Sequence, residues 1–226
     1  MSISGVSHEE RAFAPPMGQR PRPGPLDPNR LLDLAVAVVA LIFTAPLLLT
    51  LALAIRLQDG GRAIYAQTRI GRYGVTFRCL KFRSMVIDAD TRLNLLLAAD
   101  PRARAEWAKD QKLRNDPRIT PLGAFLRKSS LDELPQLINV LRGEMSIVGP
   151  RPIVASEIAR YGRAFGAYCA VRPGITGLWQ ISGRNDVPYR RRIALDKLYA
   201  QSKCLRLDLV IMLKTVVVVL LRRGSY

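Results

Sequence analysis

The chain has one histidine, His8, and three cysteines, Cys79, Cys169 and Cys204. No CxxC pair and no His-linked cysteine occurs, which excludes a zinc site and leaves no Ser-His or Cys-His couple for nucleophilic catalysis. Scattered cysteines of this kind suit reduced thiols in a cytoplasmic compartment, packed as small hydrophobes. Acidic residues are also scarce: 18 Asp and Glu stand against 35 Lys and Arg, a formal net charge of +17. So basic a chain calls for an anionic partner, whether nucleic acid, phospholipid headgroups or phosphorylated substrates, and composition does not choose among them. There is no internal repeat, and no apolar core follows the start methionine, so a signal peptide is not expected.

What is present begins with proline. Residues 1–29 carry Pro15, Pro16, Pro21, Pro23, Pro25 and Pro28 among scattered charges and read as a disordered tail. Leu34 to Ile55 then runs without a charged residue, about 22 residues or ~33 Å as a straight helix, enough to span a bilayer. Arg20, Arg22 and Arg30 precede this run, and Arg56, Arg62, Arg69 and Arg72 follow it, so the positive-inside rule sends neither end outward. Pro46 near its middle removes a ladder donor and clashes with the preceding turn. A helix broken there would enter the cytoplasmic leaflet and return, with an ordinary transmembrane helix as the alternative.

Beyond the run, Val75, Phe77 and Cys79 alternate with polar residues as in a strand, and Leu80 predicts a bulge or strand end near Lys81. Residues 88–112 read as two polar helices interrupted at Asp100-Pro101, and Pro121 to Lys128 as a short helix. Leu134, Leu137, Ile138 and Leu141 predict an apolar helical face ending at Gly143. Leu205 to Leu221 is strongly apolar but holds Arg206, Asp208 and Lys214, which predicts a helix lying in the interface or packed on the domain.

Chemistry concentrates at Lys128-Ser129-Ser130-Leu131-Asp132-Glu133-Leu134-Pro135. Two adjacent carboxylates here lie among cations, where ionised acids could coexist with a bound polyanion, the layout phosphoryl transfer needs. A structural role competes. Ser130 and Glu133 have capping-box spacing, although a helix begun at Ser130 would bring Pro135 into its ladder, whereas one begun at Asp132 would hold it in the tolerant first turn. Arg151 lies between Pro150 and Pro152, which stiffen its backbone, and arginine's fork suits a phosphate.

Lys81-Phe82-Arg83-Ser84-Met85, Ser130 to Leu134, Gly143 to Pro152 and Arg172-Pro173-Gly174-Ile175-Thr176-Gly177, in this order, resemble the bacterial sugar transferases called monotopic phosphoglycosyl transferases, from about residue 30 onward. Trp179 to Val187 and Arg223-Gly224-Ser225-Tyr226 look most like the undecaprenyl-phosphate galactose phosphotransferases of exopolysaccharide synthesis. The resemblance implies transfer of a sugar-1-phosphate from a UDP-sugar to undecaprenyl phosphate, releasing UMP, at the cytoplasmic face of the bacterial inner membrane. Galactose is the first guess for the sugar and glucose the second. The resemblance makes Asp132 a nucleophile and Glu133 a holder of Mg2+, and a carboxylate can indeed form an acyl phosphate that divides one transfer into two displacements. It makes Lys81, Arg127 and Arg151 contacts for phosphate oxygens or orienters of the acidic pair, and Arg184 and Asn185 the lining of the nucleotide or sugar pocket. Where relatives often have Ser-Pro at the hairpin break, this chain has Ala45-Pro46.

The expected fold is α+β and mainly helical with a small β element: a monotopic membrane protein comprising a tail (1–29), a re-entrant helix-break-helix hairpin (30–57) and a cytoplasmic catalytic domain with interfacial helices (58–226). Anionic membrane lipid is an expected partner. A nucleic-acid-binding protein is the rival suggested by charge alone; it lacks a recognised motif and leaves the apolar run unexplained, so no nucleic acid is expected. A catalytically silent membrane scaffold of the same fold is the second rival.

Overall fold

The computed structural model describes residues 27–110, 113, 115–183 and 187–220. Most of the expected tail, the loop residues Arg184 and Asn185, and the terminal Arg223 to Tyr226 lie outside these. The elements in order are α1 (Pro28–Asp59), β1 (Ile64–Ile70), β2 (Thr76–Phe82), α2 (Ala89–Ala99), α3 (Pro101–Asp110), α4 (Pro121–Ser129), α5 (Gln136–Leu141), β3 (Ser146–Val148), α6 (Ile158–Tyr161), α7 (Phe165–Ala170), β4 (Gly174–Thr176), α8 (Leu178–Ile181), α9 (Tyr189–Ser202) and α10 (Leu205–Leu220). The protein is mainly helical, with one two-stranded sheet of β1 and β2 and another of β3 and β4.

α1 starts where local chemistry favours it: the Asp27 carboxylate accepts from Arg30 N at 2.7 Å, and Pro28 occupies the first turn, where its missing N–H costs nothing. The helix is long and apolar enough to cross a membrane, and little of it is buried. Phe43 is 86% exposed, and Val39, Ile42, Leu49, Leu53 and Leu57 also face outward. A core helix of a soluble protein would hide these side chains, so this surface is matched to an apolar environment.

The expected break does not divide this segment into two helices. α1 runs through Pro46 as one helix. A proline removes a single ladder bond, and a bend can absorb its ring clash without loss of helical geometry. The Thr50 hydroxyl donates back to the Pro46 carbonyl at 2.9 Å.

The chain forms two compact units, whose division within α1 falls between Phe43 and Thr44. One unit contains the described residues up to Phe43, Ala66–Leu80, and those from Gln136 onward. Its β3 and β4 pair in parallel, Ser146 opposite Gly174 and Val148 opposite Thr176. A Cβ on Gly174 would lie 2.0 Å from Gly149 N, so the glycine of the Arg172-Pro173-Gly174 motif marks a backbone-to-backbone contact. Ile70, Ile153, Tyr161, Tyr168 and Cys169 form a core cluster in this unit. The Arg30 guanidinium donates to the Val140 carbonyl at 2.7 Å at the end of α5, and buried Asp33 accepts from Ser146 Oγ and Ile147 N, each at 2.8 Å. α10 turns Ile211 and Asp208 inward, with Asp208 held by Tyr199 Oη and Asn29 Nδ2 at 2.7 Å, while Leu213, Val216 and Val217 stay exposed. Pairing of its acid inward accounts for a charge within so apolar a helix.

The α5 face differs from expectation. Leu137 and Val140 are buried with Gln136 and Asn139, while Ile138 and Leu141 are exposed. Asn139 accepts from Leu80 N at 2.9 Å and donates to the Arg78 carbonyl at 2.8 Å and to Glu144 at 2.6 Å. Once its amide is satisfied in this way, the polar side chain belongs to the core, and the apolar pattern alone misassigns the face.

The other unit contains Thr44–Tyr65 and Lys81–Pro135. Its core is Leu51, Ile55, Phe82 and Leu126, with Leu48, Ala52, Ala63, Leu122 and Leu131 packed against it. The expected interruption at Asp100-Pro101 separates α2 from α3. α4 begins at Pro121 as expected, with Pro121 in the first turn, and the structure adds a cap, Thr120 Oγ1 accepting from Gly123 N at 2.9 Å. β2 ends next to Lys81, as expected. Its last residue is Phe82, and the buried positions change phase from Phe77 and Cys79 to Phe82.

Candidate active site

The acidic pair lies on a sharp reversal between α4 and α5. Ser130 ends α4 in the left-handed region at φ 59°, and a 3-10 turn, Leu131–Glu133, follows. For a residue with a side chain this conformation costs about 1 kcal/mol or more, a cost found disproportionately where geometry serves a site. The turn buries Asp132, which is 8% exposed, and leaves Glu133 half-buried. α5 begins only at Gln136, so Pro135 precedes the ladder rather than occupying a helix begun at Asp132.

This geometry decides against the capping box. The Ser130 side chain makes no cap bond, and Glu133 Oε1 instead lies 2.5 Å from Lys81 Nζ. β2 carries Lys81 past Leu80 to this position. Arg127, in the last turn of α4, donates from Nε to Ser84 Oγ at 2.8 Å. Desolvation lowers the pKa of its guanidinium, and the Asp132 and Asp116 carboxylates oppose that effect, so the cation and Asp132 feel one another. Each residue of the Lys81 to Met85 motif therefore has work of its own. Lys81 takes Glu133, Phe82 enters the core, Arg83 clasps Asp59 and the Arg62 carbonyl, Ser84 takes Arg127, and Met85 bridges to Ile119.

Arg151 belongs to the other unit, three residues beyond the end of β3. Its loop is held by Arg69, whose Nη1 donates to the Pro152 carbonyl at 2.9 Å and lies 3.9 Å from Glu157. Near Arg151 stands Asp196, 1% exposed, with Tyr161 Oη donating to Oδ2 at 2.8 Å and no partner on Oδ1. Burial pushes the Asp196 carboxyl up to about 7, against the Tyr161 hydrogen bond and the charges of Arg151 and Arg192. Arg192 lies 4.7 Å over the Trp179 ring, and Arg160 3.8 Å over that of Tyr189.

Lys81, Arg127, Asp132 and Glu133 thus fall in one unit and Arg151 in the other, and Arg184 and Asn185 lie outside the described residues. Ser84, Arg69, Asp196 and Arg192 were not predicted. Ser84 had a signal in its motif, and Arg192 and Asp196 have helical i, i+4 spacing; nothing local marked Arg69.

Among the described residues no group of three or more His, Cys, Asp and Glu is arranged to hold a metal. Asp132 and Glu133 supply carboxylate oxygens, the donor type that Mg2+ takes.

Comparison with known proteins agrees with these motifs. The profile of the bacterial sugar transferase family matches residues 27–222. The chain is 52% identical over 198 residues to the undecaprenyl-phosphate galactose phosphotransferase of Salmonella typhimurium, covering 88% of this chain and 41% of that protein. It is 51% identical to the exopolysaccharide production protein ExoY of Sinorhizobium fredii, covering 88% of each. To the UDP-glucose:undecaprenyl-phosphate glucose-1-phosphate transferase of Caulobacter vibrioides it is 40% identical, over 88% of this chain and 72% of that one. The chain spans about two fifths of the Salmonella relative and of an uncharacterized Haemophilus influenzae sugar transferase that is 54% identical to it. A profile covering nearly the whole chain, together with relatives at this identity, makes the protein a member of the bacterial sugar transferase family.

Proposed function

We propose that this protein transfers a sugar-1-phosphate from a UDP-sugar to undecaprenyl phosphate, releasing UMP, as a membrane step of exopolysaccharide synthesis at the cytoplasmic face of the inner membrane. The observation that carries this reading is the buried Asp132 beside the Lys81–Glu133 pair and Arg127. An Asp132 carboxylate oxygen attacks the phosphorus that bears the sugar. The bond from that phosphorus to the bridging oxygen breaks, and UMP leaves with the electron pair. An oxygen of the lipid phosphate then attacks the same phosphorus, and the bond to Asp132 breaks, restoring the carboxylate. Lys81 orients Glu133, and Arg127 offsets charge on the phosphates. Glu133 is the residue to hold Mg2+ with the diphosphate, and the metal when bound would neutralise charge there. Galactose is the first candidate sugar and glucose the second, in keeping with the activities for which the Salmonella and Caulobacter relatives are named.

The test uses the detergent-solubilised chain and a panel of UDP-sugars. With one sugar and no lipid, a single equivalent of UMP should appear, together with a sugar-phosphate mass on the peptide containing Asp132. Undecaprenyl phosphate should convert this burst into turnover, and chelator should stop it until Mg2+ returns. Absence of UMP with every sugar would leave the silent scaffold.

α1 in this reading bends at Pro46 and returns to the cytoplasmic side. The arginines on both flanks support this. A tag before Arg30 and a Gln58→Cys probe in a Cys204→Ser background should both resist an impermeant reagent applied from the periplasm. Labelling of either one would replace the re-entrant helix with a span.

A further inference from the structure

A groove of about 530 Å3 opens between the last turns of α1 and the start of β1, lined by Ala52, Leu53, Arg56, Arg62, Ala63 and Ile64. Its wall is almost wholly apolar. Leu53 and Ile64 are exposed to 58% and 40%, and the two cations are exposed beside them. The small Ala52 and Ala63 leave the space open, and both pack on the core that also receives Leu131, the residue before Asp132. The rim is fixed from the site side: Arg83 donates from Nε to the Arg62 carbonyl and from its backbone N to the Ala63 carbonyl, each at 2.8 Å. An apolar trough with two arginines, on the exposed face of an apolar helix, is complementary to an amphiphile with a doubly charged head.

We infer that this groove binds the isoprenoid phosphate acceptor, its first prenyl units against Leu53 and Ile64 and its phosphate between Arg56 and Arg62. The inference rests on the reading of the protein as a phosphoglycosyl transferase. Charge selects this occupant over bulk phospholipid: a terminal phosphate carries close to two negative charges near neutral pH, matching two guanidinium forks, whereas a diester headgroup such as phosphatidylglycerol carries one. The shared core with Leu131 links the acceptor's seat to the turn that would carry the phosphosugar.

The experiment measures binding first, so that it does not depend on activity. The wild-type chain in neutral phosphatidylcholine nanodiscs is photolabelled with a diazirine-bearing polyprenyl phosphate. Label is expected on the peptides spanning residues 52–64, with no competition from an equal mole fraction of phosphatidylglycerol. Arg56→Gln/Arg62→Gln should weaken binding about tenfold and raise the KM for undecaprenyl phosphate to match, while the KM for the UDP-sugar stays unchanged. Ala52→Phe, which fills the trough without touching a charge, should reduce labelling independently. Label on other peptides, wild-type affinity in the double variant, or equal displacement by phosphatidylglycerol would overturn the assignment. A wild-type chain that is labelled at the groove but releases no UMP would count against the proposed reaction and leave the binding site standing.

Discussion

Asp132→Asn should retain the fold and membrane association of the protein and lose turnover by about a thousandfold or more, the scale on which removal of a covalent nucleophile acts. The structure makes this substitution clean. Asp132 is buried in a 3-10 turn that receives no side-chain cap from Ser130, and asparagine matches aspartate in size. An amide is a far poorer nucleophile than a carboxylate, so the burst of UMP without lipid should vanish along with steady-state turnover. Circular dichroism and thermal melting in detergent would verify folding in the same preparation. Residual activity above a tenth of wild type in a folded variant would reject the covalent intermediate and leave Asp132 an electrostatic partner of Arg127.

Gly123→Ala should be the most damaging conservative change in the unit that carries the acidic pair. A Cβ there would lie 1.9 Å from the Ser84 carbonyl oxygen and within 2.8 Å of two further Ser84 backbone atoms, so no side-chain rotation relieves the clash. Alanine's better helix propensity returns at most about 1 kcal/mol, whereas forced displacement of packed backbone costs about 1–3 kcal/mol or more. α4 would have to move off Ser84, loosening the Arg127 Nε to Ser84 Oγ bond and the Thr120 N to Ser84 O bond. Melting temperature should fall by several degrees and activity with it. Gly166→Ala is the control: this glycine lies in α7 with nothing within 4 Å of the added carbon, so the same substitution should be neutral or slightly stabilising. Equal effects at the two positions would show that the Ser84 contact is unimportant.

The stopping points of helices were legible wherever one residue type settles the matter locally. Asp100-Pro101 parts α2 from α3, Pro121 opens α4, and Gly143 follows α5 at φ 78°. Periodicity was less reliable in short elements. α5 has six residues, too few for an apolar face to be averaged, and the buried Asn139 overrides the pattern through hydrogen bonds to Arg78, Leu80 and Glu144. The break expected at Pro46 does not interrupt α1, because a proline marks where a helix can bend without deciding whether it does.

The sequence by itself determined the chemistry available: a basic chain almost without histidine, an apolar run with cations on both flanks, and one adjacent pair of acids within an ordered set of motifs. These are properties of residue type and spacing, which need no fold to be read. Only the tertiary structure decided what Glu133 does, because capping box and ion pair are equally allowed by spacing, and Lys81 reaches it by a contact between residues 52 positions apart. The same holds for Arg69 under Pro152 and for Asp196 beside Arg151, whose separations of 83 and 45 residues leave no periodic trace along the chain. Long-range packing sets the desolvation and the partners of a charged side chain, and these determine whether an acid becomes a cap, a counter-ion or a nucleophile.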